Sequence, residues 1–311
     1  MVVISYVSRE TFLFLSQNGV VEWFFHRFKR NALIFPFLPI IIEEKGHMKP
    51  YFHNKGAFMA RIIAFSNQKG GVGKTTSCIN IAAAMGQKGK KVLLVDYDPQ
   101  GNATSGVGID KRTVQYTIYD VLTREIPLKS AIVKTQHANL WVVPSKIDLA
   151  AAEIELSGAF GKDKNPLAVL KEVKYEYDYI IIDCPPSLGF LTLTALSLAD
   201  GVVVPLQCEF YALEGLSQLL PSIRRVRQNY NPALQLVGIL PTMYNGRLTL
   251  TRQVIEEIKR YYPSKLFQTP ISRSVRLSEA PGFGMPIQYL DPRCKSTQEY
   301  NAAAEELMQR I

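Results

Sequence analysis

The string NQKGGVGKTT, residues 67–76, constrains the fold of this chain more than any other segment. It follows a short apolar run, residues 61–66, and precedes a helical pattern. In a strand–loop–helix setting, glycines let backbone N–H groups surround a phosphate, Lys74 brings positive charge to the outer phosphates, and Thr75 offers a hydroxyl to a magnesium ion. A glycine-rich turn without a ligand is the simpler alternative, and the complete string argues against it. The predicted phosphate-binding residues are Lys69, Gly70, Gly71, Val72, Gly73, Lys74, Thr75 and Thr76.

The loop departs from the common pattern G-x-x-x-x-G-K-[ST] at its first position. Counting back from Gly73 puts Gln68 where the first glycine usually stands, and a second lysine, Lys69, follows directly. One bound nucleotide does not obviously need this additional charge. We therefore expect Lys69 to serve phosphates held by another subunit, which predicts a homodimer that depends on nucleotide.

The composition favours a globular protein with a polyanionic partner. The chain has 311 residues, of which 47% are hydrophobic and 20% are charged, and its net charge is +9. A net positive charge of this size favours nucleic acid or an anionic membrane surface as a partner. The cysteines form no C-x-x-C pair, which argues against a zinc site or a disulfide framework and fits a reducing cytoplasm. We interpret all of them as small buried hydrophobic residues: Cys78, Cys184, Cys208 and Cys294.

Residues 1–58 differ in character from the rest of the chain, since aromatic and aliphatic clusters alternate with prolines there. The longest apolar run, residues 32–42, is too short to span a bilayer and contains two prolines. Met59 leads directly into the first predicted strand. We expect residues 1–58 to be an extension of doubtful structure or a start-site artefact, and residues 59–311 to be one domain. An interfacial membrane anchor is the alternative for the extension.

From residue 61 onward, short β-branched runs alternate with helical patterns. This alternation predicts an α/β fold, a doubly wound and mostly parallel sheet with helices on both faces. The predicted strands are residues 61–66, 91–96, 139–144, 179–183, 201–205 and 235–240. The predicted crossover helices include residues 75–87, 150–160, 190–198, 211–228 and 250–261.

Carboxylates follow two of these strands at the edge where such sheets bind ligands. Magnesium prefers oxygen ligands and keeps several waters, so Asp183 is predicted to hold the ion directly or through water. Asp98, on a loop, is predicted to orient the water that attacks the terminal phosphate. Asp96 is expected to fix this loop or to hold Lys69. Each carboxylate alone fits a helix cap or a turn equally well, and their joint placement favours the site.

Five blocks in order resemble the ParA/Soj-type partitioning ATPases. This family belongs to a wider group that has a deviant Walker A loop and also contains the MinD proteins and the nitrogenase iron protein. The resemblance implies that residues 59–311 form a ParA-like P-loop NTPase domain. The blocks are NQKGGVGKTT (67–76), LLVDYDPQGNATSG (93–106), YIIIDCPPSLG (179–189), PTMYNGR (241–247) and VRLSEAPGFGMPI (275–287).

The resemblance also implies roles for residues of the site. Lys69 would cross to the nucleotide of the partner subunit, and Lys74 would bind phosphate. With Asp98, which matches the acidic residue needed for hydrolysis, these lysines form the implied catalytic set. Thr75 and Asp183, the Walker B aspartate, would hold Mg²⁺.

Family members bind DNA without sequence preference through arginines, and Arg247 and Arg276 occupy the matching positions. By themselves these residues would be interpreted as solvated surface arginines. The basic clusters at residues 224–227 and 259–260 are candidates for a wider DNA-facing surface. Many relatives have Ile-Pro-Arg-Asn where residues 271–274 read Ile-Ser-Arg-Ser, so no adenine-binding residue is assigned.

The implied function is an ATP-driven switch that requires Mg²⁺. ATP would promote a homodimer that binds DNA, and hydrolysis, slow alone and stimulated by a ParB-like centromere-binding protein, would release it. The protein would be cytoplasmic and nucleoid-associated, and it would move a chromosome or a plasmid.

Three alternatives belong to other functional classes. A MinD-like membrane-associated ATPase needs a basic amphipathic helix at the C-terminus, but residues 298–311 contain three glutamates against Arg310. An electron donor like the nitrogenase iron protein needs paired cysteines that bridge two subunits, and the cysteines here lack that context. A non-hydrolysing DNA-binding scaffold is disfavoured by the presence of Asp98 and Asp183.

Overall fold

The computed structural model describes residues 59–124, 126–156 and 165–311, together with five strands between residues 2 and 51. The chain divides into two compact units, Met1–Phe58 and Met59–Ile311. The hypotheses that residues 1–58 are a start-site artefact or a membrane anchor stay predictions, and part of this segment lies outside the described residues. In the first unit three antiparallel strands form one sheet and two form another: β1 (Val2–Val7), β2 (Glu10–Gln17) and β3 (Val20–His26), then β4 (Ile40–Glu44) and β5 (His47–Tyr51).

Seven strands of the second unit form one sheet. They are β6 (Arg61–Phe65), β7 (Val92–Asp96), β8 (Val133–Lys134), β9 (Leu140–Val143), β10 (Tyr179–Asp183), β11 (Gly201–Gln207) and β12 (Gln235–Thr242). Their order across the sheet is β12-β11-β6-β10-β7-β9-β8. All neighbours are parallel except β8, which pairs antiparallel with β9. The predicted mostly parallel sheet is confirmed, and the two-residue edge strand β8 was not predicted.

The helices cover both faces of this sheet. They are α1 (Lys74–Gln87), α2 (Asn102–Gly106), α3 (Ile118–Thr123), α4 (Leu128–Ala131), α5 (Leu149–Leu156), α6 (Phe190–Leu198), α7 (Ala212–Asn229), α8 (Thr249–Tyr261), α9 (Val275–Glu279), α10 (Ile287–Leu290) and α11 (Lys295–Arg310). Among the described residues, 3-10 helices span Pro166–Val173 and Ala280–Phe283. Within the described part of the chain, no helix combines the length and the apolar character that a membrane crossing requires.

Alternate side chains of each strand enter two separate cores. On β10, Ile180 and Ile182 pack in the core that α3 and α5 to α8 cover, whereas Ile181 packs in the core that α1 and α11 cover. Because both faces are buried, the strands consist almost entirely of apolar residues. The strand ends are therefore the places where polar side chains of the sheet reach a ligand.

Helix α1 is buried along most of its length, and the polar residue Asn80 lies in its buried part. The Asn80 side chain donates to the carbonyl oxygen of Thr76 at 2.7 Å and accepts from the backbone N–H of Ile287 at 2.7 Å. Gln288 donates to the carbonyl oxygen of Asn80 at 2.9 Å. These bonds join α1 to α10.

Helix α11 is fixed to the sheet by Arg310. Its guanidinium donates to the carbonyl oxygens of three residues, at 3.2 Å to Val237, 3.0 Å to Ser264 and 2.7 Å to Leu266. It also pairs with Glu306 at 2.6 Å. The guanidinium has five N–H donors in a planar fork, and the three donors of a lysine ammonium could not replace all of these bonds.

We predict that Arg310→Lys lowers the free energy of unfolding by about 1–3 kcal/mol, because a lysine leaves part of these carbonyl groups without donors. Urea denaturation followed by circular dichroism measures the change. Arg260→Lys is the control, since Arg260 is exposed and contacts the ring of Tyr261 at 5.7 Å. Equal stability of the two variants would contradict the structural role of Arg310.

Candidate functional site

The loop between β6 and α1 presents free backbone N–H groups at the start of a helix. Gly73 is the N-cap of α1, has a φ of 82° and makes no side-chain cap hydrogen bond. The N–H groups of the first helical turn therefore have no side-chain acceptor, and together with the helix dipole they favour an anion. Thr242 on β12 donates to the carbonyl oxygen of Val72 at 2.7 Å and holds the loop in place.

Lys74 lies folded into this loop. Its side chain is buried, and Nζ donates to the carbonyl oxygen of Lys69 at 3.1 Å. Burial lowers the pKa of Lys74, while the nearby carboxylates of Asp183 and Asp98 act in the opposite direction. The ammonium group is thus positioned inside the loop, as the prediction for a phosphate-binding lysine requires.

The register of the sheet brings two carboxylates together. Asp183, the last residue of β10, pairs with Phe65 on one side and with Asp96 on the other. Both carboxylates are fully buried. Burial, and next the charge of Asp96, raises the pKa of Asp183 to about 8, and burial raises the pKa of Asp96 to about 6.

The carboxylate of Asp183 has one buried oxygen without a hydrogen-bond partner. Oδ1 accepts a hydrogen bond from Cys78 Sγ at 3.5 Å, and Thr75 also bonds to the carboxyl group. Oδ2 is buried without a hydrogen-bond partner, and a hard cation would satisfy it. Among the described residues no three His, Cys, Asp or Glu side chains form a metal cluster. Thr75 and Asp183 fit Mg²⁺, which keeps waters and phosphate oxygens as its other ligands.

Asp96 fixes the loop that follows β7. Its Oδ2 accepts from the backbone N–H of Thr104 at 2.7 Å and from Thr104 Oγ1 at 2.6 Å. This confirms the loop-fixing hypothesis for Asp96. The alternative, that Asp96 holds Lys69, is wrong, because Lys69 Nζ pairs with Glu209 Oε2 at 2.9 Å. Asp96 is too deeply buried for a side chain that projects out of the loop to reach it.

Asp98 lies on the same loop, and its side chain is nearly buried. Oδ1 accepts from the backbone N–H of Gln100 at 2.9 Å, so the carboxylate is oriented and retains acceptor capacity. It is close enough to Lys74 for its charge to affect the pKa of that lysine. The role of Asp98 in orienting water stays a prediction.

Lys69 projects away from the loop that contains it. Its side chain is 38% exposed and pairs with Glu209, which is 49% exposed. Glu209 follows β11, and residue spacing alone gave no signal for this partner 140 positions away. An exposed pair of this kind contributes little to stability, so Lys69 is available to other anions.

A cavity of about 260 Å³ adjoins the loop. It includes residues 271–274, the segment that departs from the family pattern. Side chains of hydroxyl, apolar and guanidinium character surround it, among them Thr76, Ile271, Arg273, Ser274, Leu277 and Tyr300.

Arg247 and Arg276 both lie on the surface. Arg247 follows β12 and lines a larger cavity of about 470 Å³. Arg276 on α9 is 59% exposed, pairs with Glu279 at 3.3 Å and approaches Asp291 at 3.8 Å. The structure does not bring these arginines to the buried carboxylates.

We predict that Asp183→Asn stabilises the nucleotide-free protein at pH 8 and above. Folded Asp183, with a pKa of about 8, keeps a proton that the unfolded chain releases near pH 4. The free energy of unfolding of the wild type therefore falls as pH rises from about 4 to about 8, and asparagine removes this loss.

Thermal melting across pH, with and without Mg²⁺, measures the effect. Mg²⁺ together with ATP is expected to raise the melting temperature of the wild type more than that of Asp183→Asn, because the variant has lost a ligand. Asp148→Asn, at an exposed carboxylate, is the control. A lower melting temperature of Asp183→Asn at pH 8 without Mg²⁺ would contradict the prediction.

Comparisons with known proteins agree with this geometry. Residues 60–236 match the model of a family described as an AAA domain. The chain is 51% identical over 249 residues to the Sporulation initiation inhibitor protein Soj of Bacillus subtilis (strain 168), covering 80% of this chain and 98% of that protein. It is 48% identical over 254 residues to the Chromosome partitioning protein ParA of Myxococcus xanthus (strain DK1622), covering 82% and 90%.

The fold is also similar to the crystal structure of Cobyrinic Acid a,c-diamide synthase from Mycobacterium smegmatis with bound ATP analog and magnesium. The TM-score is 0.71 and the identity 37%, over 80% of this chain and 94% of that one. These findings confirm the predicted fold, ATPase activity and use of ATP with Mg²⁺. The chain belongs to the Soj/ParA family of P-loop ATPases.

Proposed function

We propose that this chain is an ATP-dependent dimerising switch that binds DNA without sequence preference and drives chromosome or plasmid partitioning. The observation that carries the proposal is that two lysines of one loop lie in different surroundings. Lys74 is buried and folded into the loop, whereas Lys69 projects outward. A single nucleotide uses the first lysine, and the second is available for a nucleotide on another subunit.

The loop and the adjoining cavity accommodate one nucleotide. The phosphates contact the N–H groups at the start of α1 and the ammonium of Lys74. The base enters the 260 Å³ cavity beside Thr76. Thr75 and Asp183 would hold Mg²⁺, and the ion would supply charge neutralisation for the phosphates. Asp98 orients the attacking water.

Dimerisation explains the exposed position of Lys69. Two copies that face each other across their loops would exchange Glu209 for nucleotide phosphate as the partner of Lys69. A charge-assisted bond to phosphate is stronger than the exposed ion pair that it replaces. ATP, with one phosphate more than ADP, favours this state.

DNA binding is assigned to Arg247 and Arg276, which are both exposed on a chain of net charge +9. Contacts to phosphate position a protein on DNA without reading sequence, and they release counterions. We expect the protein to be cytoplasmic and associated with the nucleoid, because it would bind DNA without reading sequence. A ParB-like partner would stimulate hydrolysis, which is expected to be slow in the isolated protein.

The structure supports DNA over a membrane as the polyanionic partner. A membrane-binding C-terminal helix needs free apolar and basic faces. In α11 the apolar residues Tyr300, Ala303 and Leu307 are buried in the core, and Arg310 is bonded to backbone carbonyl groups. This helix is therefore part of the domain and does not serve as an anchor.

Lys69→Ala is predicted to abolish dimerisation and to leave ATP binding within severalfold of the wild type, because Lys69 serves the nucleotide of the partner. Sedimentation with ATP compares the Asp98→Ala protein, which is expected to keep ATP because it lacks the carboxylate that orients the attacking water, with the double variant Asp98→Ala/Lys69→Ala. Lys129→Ala, at an exposed lysine paired with Glu176, is the control. ATP-dependent dimers of the Lys69 variant would refute the assignment.

DNA retention by the full chain is predicted to require ATP and to fall steeply with salt. Arg247→Ala and Arg276→Ala should each reduce the slope of log affinity against log salt by about 1. Lys74→Ala should lose the response to ATP. Arg112→Ala is the matched control, because Arg112 is 89% exposed and paired with Asp110. Equal retention without nucleotide would indicate a DNA-binding scaffold, and association with anionic vesicles in place of DNA would indicate a membrane-associated ATPase.

A further inference from the structure

A contact between two glycines joins the nucleotide side of the site to the segment that carries Arg276. Gly108 follows α2 with a φ of +83°, and Gly284 follows the second 3-10 helix with a φ of +62°. A Cβ atom added to Gly108 would lie 2.9 Å from the carbonyl oxygen of Gly284. A Cβ atom added to Gly284 would lie 2.7 Å from the Cα atom of Gly108. The two backbones therefore touch with no side chain between them.

On the nucleotide side, α2 is fixed to the candidate hydrolytic loop. Asp96 accepts two hydrogen bonds from Thr104 in α2, and the N–H of Gly101, the N-cap of α2, donates to the carbonyl oxygen of Asp98 at 2.9 Å. A Cβ atom on Gly106 would lie 2.4 Å from Ile79 of α1, so α2 also packs tightly on the helix after the phosphate loop. A displacement of the Asp98 loop must therefore move α2.

On the other side, Gly284 directly follows residues 275–283, a segment that consists of α9 and a 3-10 helix. The N–H of Gly284 donates to the carbonyl oxygen of Pro281 at 3.1 Å. Leu277 and Ala280 bury one face of this segment, and Arg276 stands exposed on it. The segment is short and bonded internally, so a shift at Gly284 carries it as a unit.

His137 lies beside the contact between Gly108 and Gly284. Its imidazole is buried and packs on the ring of Tyr289 with centroids 4.5 Å apart. Burial lowers the pKa of His137, and the backbone groups of Gly284 and Val107 act in the opposite direction. The hydroxyl of Tyr289 accepts from the N–H of Ala138 at 2.8 Å. The imidazole is thus packed beside the two glycine segments, and its bulk limits their independent movement.

We propose that the Gly108–Gly284 contact positions the Arg276 segment according to the state of the Asp98 loop, and so couples nucleotide binding to DNA binding. This inference rests on the proposed function of Arg276. Packed backbones transmit a displacement because they do not deform continuously, and the two segments therefore move together. Gly108, Gly284 and His137 act as positioning residues and touch neither nucleotide nor DNA.

Gly284→Ala tests the contact, and Gly282→Ala is its matched control. Gly282 lies in the 3-10 helix that Gly284 follows, and a Cβ atom there has no heavy atom within 4 Å. Binding of a fluorescent ATP analogue and retention on DNA with ATP or ADP are measured for the full chain. We expect Gly284→Ala to bind the analogue like the wild type, while the ratio of DNA affinity with ATP to that with ADP falls by about tenfold. Gly282→Ala should keep the ratio of the wild type.

A folded Gly284→Ala protein that keeps the ATP-to-ADP ratio of the wild type would overturn the coupling. If Gly284→Ala does not fold, amide hydrogen exchange on the wild type decides. Addition of an ATP analogue that is not hydrolysed should change exchange in peptides covering residues 102–108 and 280–285 together. A change in the first peptide alone would overturn the proposal.

The exchange measurement also separates this inference from the proposed function. If the wild type fails to bind DNA with ATP, the DNA-binding function is refuted. The exchange of the two peptides still shows whether the segments move together, because it needs no DNA. The Lys74→Ala protein, which lacks the phosphate-binding lysine, should show no change in either peptide.

Discussion

The burial of two carboxylates side by side is the constraint on which the rest of the site depends. Parallel pairing of β10 with β7 in this register places Asp183 next to Asp96, away from water. The two groups differ in their partners, since Thr104 satisfies Asp96 and a bonding site of Asp183 stays open. One carboxylate therefore maintains the loop and the other is available for a cation. If Asp183 bonded to the loop and Asp96 kept the open oxygen, the cation would have no carboxylate ligand near Thr75.

Most of the fold and the phosphate loop are encoded locally and could be predicted from the sequence. The six longer strands are apolar runs bounded by polar residues, and the lysine–threonine pair after Gly73 marks the start of α1. Asp183 and Asp96 were found because both end strands. The two-residue strand β8 and the short helices α9 and α10 have too few residues for periodicity to show.

What the sequence did not indicate are contacts between distant segments. Glu209 pairs with Lys69 only because β11 lies beside β6, and the sheet order that brings them together is a property of the whole domain. The meeting of Gly108 with Gly284 likewise depends on how α2 packs on α1. Glycine in a sequence marks a turn, but it does not reveal which backbone approaches it.

The hydrogen bonds of Asn80 restrict how related chains can diverge. Its side chain donates to one residue of α1 and accepts from the start of α10, while Gln288 bonds to its backbone. Aspartate at this position would lose the donor and add a buried charge, and leucine would leave the N–H of Ile287 unpaired. Each of these contacts joins a side chain to a backbone group, so the residues at positions 80 and 288 are constrained separately, although both maintain one contact between segments 208 positions apart. The contact between α1 and α10 thus limits substitution at two distant positions without linking the choice of residue at one to the choice at the other.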